Sequence, residues 1–428
     1  MARIIVGDVG CGKTICATAS AYIAAKSGYQ TALMVPTEIL ARQHFAELSN
    51  LLGKLGISVE LLLGSTSAKE KKRIKGGIAS GEINVIVGTH ALISDNVDFN
   101  NLGLVITDEQ HRFGVNQRAK LKEKSSKAHL LVMSATPIPR TLALTMYGDL
   151  DISRITEMPK GRQRVDTFVV NESYRARLYD FIQKQVSLGG QCYVVCPSIE
   201  SNDEEDAFIC DYTTGEVISE GTLNLKSAVE LGEEFKAKFP SIKTEVLHGK
   251  MKSGEKDEVM ARFSSGETKV LVSTTVIEVG VNVPNACLMI VENAERFGLS
   301  QLHQLRGRVG RGSRKSYCIL VSDINSQKSR ERLEVMRCTY DGFEIAEKDL
   351  LLRGPGDFFS SVSNDNLRQS GGFEFRFASM CDSNDLLNHA FSVAKSIIDF
   401  DPKLELKEHL ELRKEIDRRM NIAVSTIS

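Results

Sequence analysis

The feature that most constrains the fold is a glycine-rich turn near the start of the sequence. The stretch RIIVGDVGCGKTICATASAY places a hydrophobic run before this turn and a helix-forming run after it. The turn itself reads Gly7-x-x-x-x-Gly12-Lys13-Thr14. Glycines free successive backbone N–H groups to point at the α- and β-phosphates of a nucleotide, at the start of a helix. The pattern therefore predicts a strand, a phosphate-binding loop and a helix in direct succession.

The loop also predicts which residues hold the nucleotide. Lys13 is expected to reach the β- and γ-phosphates, and the Thr14 hydroxyl is expected to bind Mg²⁺. The residues assigned to the nucleotide are Gly7, Asp8, Val9, Gly10, Cys11, Gly12, Lys13 and Thr14.

Short β-rich runs alternate with amphipathic helical runs along the chain. In the first half the strand candidates are RIIV, TALMV, VELLL, NVIVGT, LGLVITDE and HLLVMSAT. The pattern then restarts with VDTFVV, QCYVVCP, TEVLHG, KVLVSTT, ACLMIVEN and SYCILVS. Such alternation predicts an α/β fold in which parallel sheets carry helices on both faces and bind ligands at the carboxyl ends of their strands.

The repetition predicts two similar α/β lobes at residues 1–150 and 151–325, followed by a helical region at 326–428. The Pro/Gly-bearing stretch DLDISRITEMPKGRQ is expected to connect the lobes. Because the second half lacks a Gly-Lys-Thr loop, we expect one nucleotide in a cleft that opens and closes. The acidic, weakly periodic segment 198–224 is interpreted as a surface insertion without chemistry.

Composition narrows the class of protein. With 42% hydrophobic and 25% charged residues, the 428-residue chain is typical of a globular protein. It has no apolar run of the about 18 residues that a membrane span needs, so we expect no membrane partner and a cytoplasmic location. Since the net charge is only −1, nucleic acid would have to bind local basic patches. Cys192 and Cys196 lack partners at zinc-ligand spacing, and buried free thiols are expected there.

Two clusters are candidates for catalysis. Asp108 and Glu109 end a hydrophobic strand, where one carboxylate could hold Mg²⁺ and the other polarise the attacking water. The alternative is a solvated turn. Gln304, Arg308 and Arg311 are spaced i, i+4 and i+7, so we expect them on one face of a helix. They could supply guanidinium groups to the γ-phosphate, or they could form only a solvated face.

A family resemblance rests on these elements in this order. The stretches GDVGCGKT, VPTEIL, VGTHAL, TDEQHRFGV, MSATPIPRTLA, HGKM, TTVIEVGVNVPNA, FGLSQLHQLRGRVGRG and DGFEIAEKDLLLRGPGD together resemble the motor half of RecG-type DNA helicases of superfamily two. The resemblance implies two tandem RecA-like lobes with a C-terminal helical extension that carries a translocation motif. The motor of a transcription-repair coupling factor remains an alternative, although that protein normally has a second acidic residue at the position of Gln110.

The resemblance also implies residue roles. Lys13, Thr14, Asp108 and Glu109 would serve ATP and Mg²⁺, while Gln304, Arg308 and Arg311 would complete the catalytic set. Residues implied in coupling or in DNA binding are Gln110, His111, Ser134, Thr136, Thr37, Thr89, His90, Thr274, Thr275, Arg353, Arg368 and Gln369.

The implied activity is ATP-dependent movement on branched DNA, at replication forks and Holliday junctions, in recombination and repair. Hydroxyls and backbone amides hold phosphates without reading bases, so sequence-independent binding is expected. The basic stretches from Arg112 to Lys127 and RGRVGRGSRK fit a DNA track, although either could be a solubilising surface. We expect a monomer.

RecG proteins carry an oligonucleotide-fold wedge ahead of the motor, whereas here the phosphate loop follows Met1 closely. If a separate chain supplies the wedge, that chain is an expected partner. Two other functions are alternatives to a DNA motor. The chain could be a truncated or split-gene product that binds nucleotide without remodelling DNA, or it could be a P-loop kinase. The kinase leaves the second lobe unexplained.

Overall fold

The computed structural model describes most of the chain. It covers residues 1–93, 97–108, 128–134, 150–159, 163–197, 228–274, 283–312, 314–323, 326–353 and 384–425. Within these ranges the chain forms two compact units, of which the first contains two β-sheets and the second contains the C-terminal helices.

The first sheet and its helices form lobe one. Its strands are β1 Ala2–Gly7, β2 Gln30–Met34, β3 Val59–Leu62, β4 Val85–Gly88, β5 Leu102–Asp108, β6 His129–Ser134 and β7 Asp151–Ile155. They lie in the order β3-β4-β2-β5-β6-β1-β7, and all pairs are parallel. The described helices of this lobe are α1 Lys13–Lys26, α2 Glu38–Gly53 and α3 Ala68–Ser80.

The second sheet and its helices form lobe two. Its strands are β8 Val165–Val170, β9 Gln191–Val195, β10 Thr244–Leu247, β11 Val270–Ser273, β12 Ala286–Val291 and β13 Ser316–Val321. They lie in the order β10-β11-β9-β12-β13-β8, again all parallel. The described helices of this lobe are α4 Arg175–Ser187, α5 Ala228–Lys238, α6 Ser253–Ser264 and α7 Leu299–Arg306. The predicted fold of two parallel-sheet lobes is confirmed.

Both sheets are buried on both faces, which explains their continuous apolar strands. In β2, Leu33 packs into one hydrophobic cluster while Ala32 and Met34 pack into another. The same alternation in β9 sends Cys192 into a core cluster, where Cys196 joins it just after the strand. Both cysteines are buried thiols outside any disulfide, as the sequence predicts.

Strand β7 lies inside the stretch that the sequence indicates as a connector. It pairs in parallel with β1, with Val6 opposite Arg154 and Gly7 opposite Ile155. The expected connector therefore begins with a strand of the first sheet, one that lies beyond the lobe boundary expected at residue 150. DISRI carries few apolar residues because it forms the sheet edge, and the strand is stabilised by pairing with β1.

A buried glutamine at the start of β2 joins three segments of lobe one. The Gln30 amide donates to the carbonyl oxygens of Ile78 at 2.9 Å and Ile83 at 2.8 Å. Its side-chain oxygen accepts the N–H of Asn101 at 3.0 Å, and its own N–H donates to the Asn101 carbonyl at 2.8 Å. We call this arrangement the glutamine bridge, because it ties the end of α3 and the start of β5 to β2.

Lobe two has a glutamine bridge at the equivalent position. Gln191 begins β9, and its buried amide donates to the carbonyl oxygens of Phe263 and of Thr268, the latter at 2.9 Å. Its N–H donates to the Asn285 carbonyl at 2.9 Å. In both lobes a glutamine therefore satisfies carbonyl groups where a helix ends before the next strand, which supports the predicted similarity of the two halves.

The described residues after lobe two are mostly helical, as predicted. The described helices are α8 Gln327–Cys338, α9 Gly342–Arg353, α10 Asn384–Phe400 and α11 Leu410–Ser425. In the second unit, Asp401 follows α10 and its carboxylate accepts the N–H groups of Glu405 and Leu406, which fixes the turn towards α11. Across the described ranges, every helix is either too short or too polar to span a bilayer.

The glutamine bridges predict a specific stability effect. Gln30→Leu and Gln191→Leu should each lower the free energy of unfolding by about 1–3 kcal/mol, because each removes a buried amide donor from two carbonyl groups. The carbonyls of Ile78 and Phe263 keep a backbone donor, whereas those of Ile83 and Thr268 lose the donor described above. The measurement is urea unfolding followed by circular dichroism. Gln327→Leu is the matched control because Gln327 is exposed and, among the described residues, bonds to its helix neighbour Glu331 alone. Equal midpoints for all three variants would contradict the prediction.

Candidate functional site

The phosphate loop joins the end of β1 to the start of α1. Gly10 and Gly12 have φ angles of 78° and 102°, in the left-handed region that glycine adopts without strain. Gly12 is also the N-cap residue of α1. The loop therefore turns at its two glycines and ends at a helix N-terminus, which is the arrangement that binds phosphate.

Gly7 allows the loop to close on itself. A Cβ atom at Gly7 would lie 2.5 Å from the Cys11 Sγ and 3.2 Å from the Ile155 Cβ. Burial raises the pKa of the Cys11 thiol, against the opposing charge of Lys13. Cys11 is therefore a neutral packing group at neutral pH, and a Cβ atom at position 7 would force the Cys11 side chain to shift.

Lys13 is buried and bonded within the loop. Its Nζ donates to the Gly7 carbonyl at 2.8 Å and to the Asp8 carbonyl at 2.9 Å. A lysine ammonium has three donors and no acceptor, so the loop carbonyls hold it by strong, charge-assisted bonds. A phosphate entering the loop would compete with these two carbonyl groups for the ammonium.

Several predicted residues meet at the carboxyl edge of the first sheet. Asp108 ends β5 and Ser134 ends β6, and β6 lies between β5 and β1. Thr89 follows β4, and Thr37 follows β2 as the N-cap of α2, where its hydroxyl accepts the Leu40 N–H at 3.4 Å. The fold therefore brings these four residues to the edge that carries the phosphate loop.

His44 is a site residue that the sequence analysis missed. It lies on α2, and its Nε2 is 3.0 Å from the Asp108 Oδ2, with the two side chains 4% and 13% exposed. One signal could have revealed it. The buried face of α2 runs through Leu40, Ala41 and Leu48, and His44 is the polar residue within that stripe.

Gln304, Arg308 and Arg311 do not lie on one face of a helix, contrary to the expectation from their spacing. Helix α7 ends at Arg306, so Arg308 and Arg311 lie beyond it and the expected helical stripe is wrong. Gly310, with a φ of 78°, turns the backbone, and the Arg311 Nε donates back to the Gly307 carbonyl at 3.2 Å. Gln304, inside the helix, is buried.

Arg308 and Arg311 lie near Tyr193 of lobe two. Burial raises the pKa of the Tyr193 phenol, and the positive charges of Arg308 and Arg311 oppose that rise. The ring of Tyr193 packs at 4.8 Å from the Phe263 ring, measured between centroids. Both guanidinium groups are thus within electrostatic range of the core strand β9.

The segment that bears these arginines touches the phosphate loop. A Cβ atom at Gly307 would lie 2.9 Å from the Val9 Cβ. The His303 Nε2 is 2.6 Å from the Asp8 Oδ1. Residues of lobe two therefore contact two residues of the loop directly, and His303 is a second residue that the sequence analysis did not single out.

Thr274 follows β11 at the carboxyl edge of the second sheet, and its N–H donates to the Leu247 carbonyl at 3.2 Å. Arg353 is the last residue of α9, and the His90 position begins a short 3₁₀ turn. Predicted site residues outside the described ranges are Glu109, Gln110, His111, Thr136, Thr275, Arg368 and Gln369. The basic stretch from Arg112 to Lys127 and the acidic segment 198–224 also lie outside them.

The arrangement can bind a nucleoside triphosphate. The loop offers backbone donors and an ammonium, and Asp108 and Thr14 offer oxygen ligands of the kind that Mg²⁺ prefers. Among the described residues, no group of three or more His, Cys, Asp or Glu side chains could hold a metal by itself. Such a composition fits Mg²⁺, which takes one or two protein ligands together with phosphates.

Family comparisons match three parts of the chain. Residues 2–145 match the DEAD/DEAH box helicase family, and residues 174–313 match the helicase conserved C-terminal domain. Residues 339–428 match the C-terminal part of domain 3 of the ATP-dependent DNA helicase RecG.

Individual relatives agree with the family match. The chain is 46% identical to the ATP-dependent DNA helicase RecG of Synechocystis sp., over 96% of this chain and 47% of the relative. It is 47% identical to the Bacillus subtilis protein of the same name, over 97% of this chain and 58% of the relative. The chain thus spans about half the length of these relatives.

Solved structures show the same fold. A RecG bound to a three-way DNA junction is 45% identical to this chain, with a TM-score of 0.68 over 84% of this chain and 45% of that one. The S. cerevisiae Dbp5 bound to RNA and ADP BeF3 is only 17% identical, with a TM-score of 0.56 over 82% of this chain and 88% of that one. Dbp5 supports the fold alone.

The closure of the loop around Gly7 predicts a second stability effect. Gly7→Ala should lower the free energy of unfolding by about 1–3 kcal/mol, because its methyl group overlaps the Cys11 sulfur. Adding Cys11→Ala should recover part of this loss, since the contact with Ile155 would remain. Thermal unfolding measures both. Gly53→Ala is the control, because a Cβ there meets nothing within 4 Å. If Gly7→Ala and Gly53→Ala lowered the free energy of unfolding equally, the prediction would be contradicted.

Proposed function

We propose that this chain, which belongs to the RecG-type helicases of superfamily two, is an ATP-driven DNA motor that acts on branched DNA in recombination and repair. The observation that carries the proposal is the contact between the phosphate loop and the arginine-bearing segment of lobe two, with Val9 against Gly307. This contact brings the loop and the arginine-bearing turn together, as an ATPase site shared between two lobes would require. Relatives named ATP-dependent DNA helicase RecG support the activity.

Lobe one would bind the nucleotide. Lys13 exchanges its carbonyl partners for the β- and γ-phosphates, and Thr14 with Asp108 would hold Mg²⁺. When bound, Mg²⁺ neutralises charge on the phosphate oxygens. Glu109, next in the chain, would orient the attacking water. His44 fixes the Asp108 carboxylate through the 3.0 Å contact described above.

Lobe two would complete the site. Arg308 and Arg311 stabilise negative charge that develops on the γ-phosphate, and Gln304 supports them from the end of α7. Arginines in this role accelerate hydrolysis about 10³- to 10⁵-fold. Because they come from a different lobe, hydrolysis would depend on how the lobes sit, which links turnover to movement.

DNA would run along the carboxyl edges of the sheets. Thr37, Thr89 and Thr274 follow three buried strands at these edges, and hydroxyl groups can hold phosphates without reading bases. The RecG structure bound to a three-way DNA junction supports branched DNA as the substrate. Arg353, Arg368 and Gln369 would then connect the motor to the duplex.

The function is tested by measuring ATP turnover without DNA, with single strands and with a three-way junction. The junction should give the highest rate, and Lys13→Ala should abolish it. Arg308→Ala should lower kcat about 10³-fold or more. Arg337→Ala is the matched control, because that arginine is exposed and, within the described part of the chain, forms its salt bridge with Glu334 on the same helix. Nucleotide binding without DNA-dependent turnover would instead support a remnant that no longer remodels DNA.

His44 makes a separate prediction. His44→Ala should raise the Mg²⁺ concentration needed for half-maximal turnover about 10- to 100-fold, because the Asp108 carboxylate loses the group that orients it. A Mg²⁺ titration at saturating ATP measures this. Gln43→Ala, which removes a contact with Glu47 on the same helix, should leave the titration unchanged. An unchanged titration for His44→Ala would show that Asp108 does not depend on His44.

A further inference from the structure

We propose that His303 is a positioning residue that ties the phosphate loop to lobe two and, through Arg306, to the segment that enters α9. Three side chains form this series: Asp8, His303 and Arg306. We call it the Asp8–Arg306 series. Its consequence would be that the conformation of the loop and the position of residues 336–340 change together.

The series begins at Asp8, which accepts several hydrogen bonds from other residues of the phosphate loop. Its Oδ1 accepts the Val9 N–H at 2.6 Å, and its carbonyl accepts the Cys11 N–H at 3.2 Å and the Lys13 ammonium at 2.9 Å. Any rearrangement of the loop therefore moves the Asp8 carboxylate. That carboxylate is also the group that His303 contacts.

His303 lies in the middle of the series, and its two ring nitrogens have different partners. The Arg306 Nη2 is 3.0 Å from the His303 Nδ1. Since a guanidinium can only donate, Nδ1 must be the acceptor, and the ring proton is therefore assigned to Nε2. The Nε2–H then donates to Asp8 at 2.6 Å. The buried imidazole thus donates to Asp8 through Nε2 and accepts from Arg306 through Nδ1.

Arg306 carries the series out of lobe two. Its Nη1 donates to the carbonyl oxygens of Met336 and Thr339, both at 2.9 Å, and its Nη2 to that of Tyr340 at 3.4 Å. The guanidinium also lies 5.4 Å from the centre of the Tyr340 ring. These carbonyls belong to the end of α8 and to the turn before α9, where a helix C-terminus favours a cation.

The surroundings of the series support movement within it. Asp8, His303 and Arg306 line a cavity of about 330 Å³, which leaves room for their side chains to change rotamer. By contrast, Val9 packs directly on Gly307, so the loop cannot shift without acting on the end of α7. When Lys13 exchanges its carbonyl partners for phosphate, the change at Asp8 would therefore reach residues 336–340.

The two nitrogens of His303 can be tested separately. In His303→Asn the amide oxygen takes the place of Nδ1, so the contact with Arg306 is kept and the contact with Asp8 is lost. In His303→Gln the amide nitrogen takes the place of Nε2, so the contact with Asp8 is kept and that with Arg306 is lost. His303→Ala loses both contacts.

Hydrogen exchange of the full chain, without nucleotide, reads out both ends of the series. His303→Asn should speed exchange about tenfold in residues 7–14 only, and His303→Gln about tenfold in residues 336–342 only, as expected for one lost charge-assisted hydrogen bond. His303→Ala should speed exchange in both. Gln301→Glu is the control, since it lies on the same helix and keeps an oxygen to accept the Gly298 N–H. Equal effects of the Asn and Gln variants on both segments, or no effect of Ala, would overturn the proposal.

Turnover provides a second comparison, which rests on the proposed function. The ratio of junction-stimulated to unstimulated ATP turnover should fall in all three His303 variants and stay unchanged in Gln301→Glu. A parent chain that hydrolyses no ATP would overturn the proposed function, while the exchange result would still decide the role of His303.

Discussion

The contact between the phosphate loop and the end of α7 is the interaction on which the candidate site depends. Val9 packs on Gly307, and Asp8 is bound to His303. Without this contact the loop would be only a nucleotide-binding turn at one edge of a sheet. With it, the phosphate loop and the turn that carries the arginines belong to one structure. The loop thus has a direct contact with the second lobe.

The two lobes share the glutamine bridge as well as a parallel-sheet fold. Gln30 and Gln191 each begin a strand and donate to two carbonyl groups, one near the end of a helix and one between that helix and the next strand. Only lobe one carries the phosphate loop. The repeated fold therefore provides two lobes of similar construction that differ at the carboxyl edge, where the first lobe carries the loop.

Most strands of the fold could be predicted from the sequence, because buried parallel strands are continuous apolar runs. Strand β7 could not, since an edge strand such as DISRI is held by pairing with β1 and not by its own apolar content. In the site, the loop and Asp108 follow from local pattern. The His44 and His303 contacts join residues far apart in the chain, and the end of α7 depends on Gly307 and Gly310, whose turn overrides a spacing typical of a helix.

The glutamine bridge of lobe one has a consequence for synthesis of the protein. All its partners, Ile78, Ile83 and Asn101, precede the second lobe in the chain. Domains generally fold as units while the ribosome is still extending them. The first lobe can therefore become native as a nascent chain, with its sheet completed once β7 has left the exit tunnel. The phosphate loop would then fold before His303 is synthesised, and the contact between His303 and Asp8 would form afterwards.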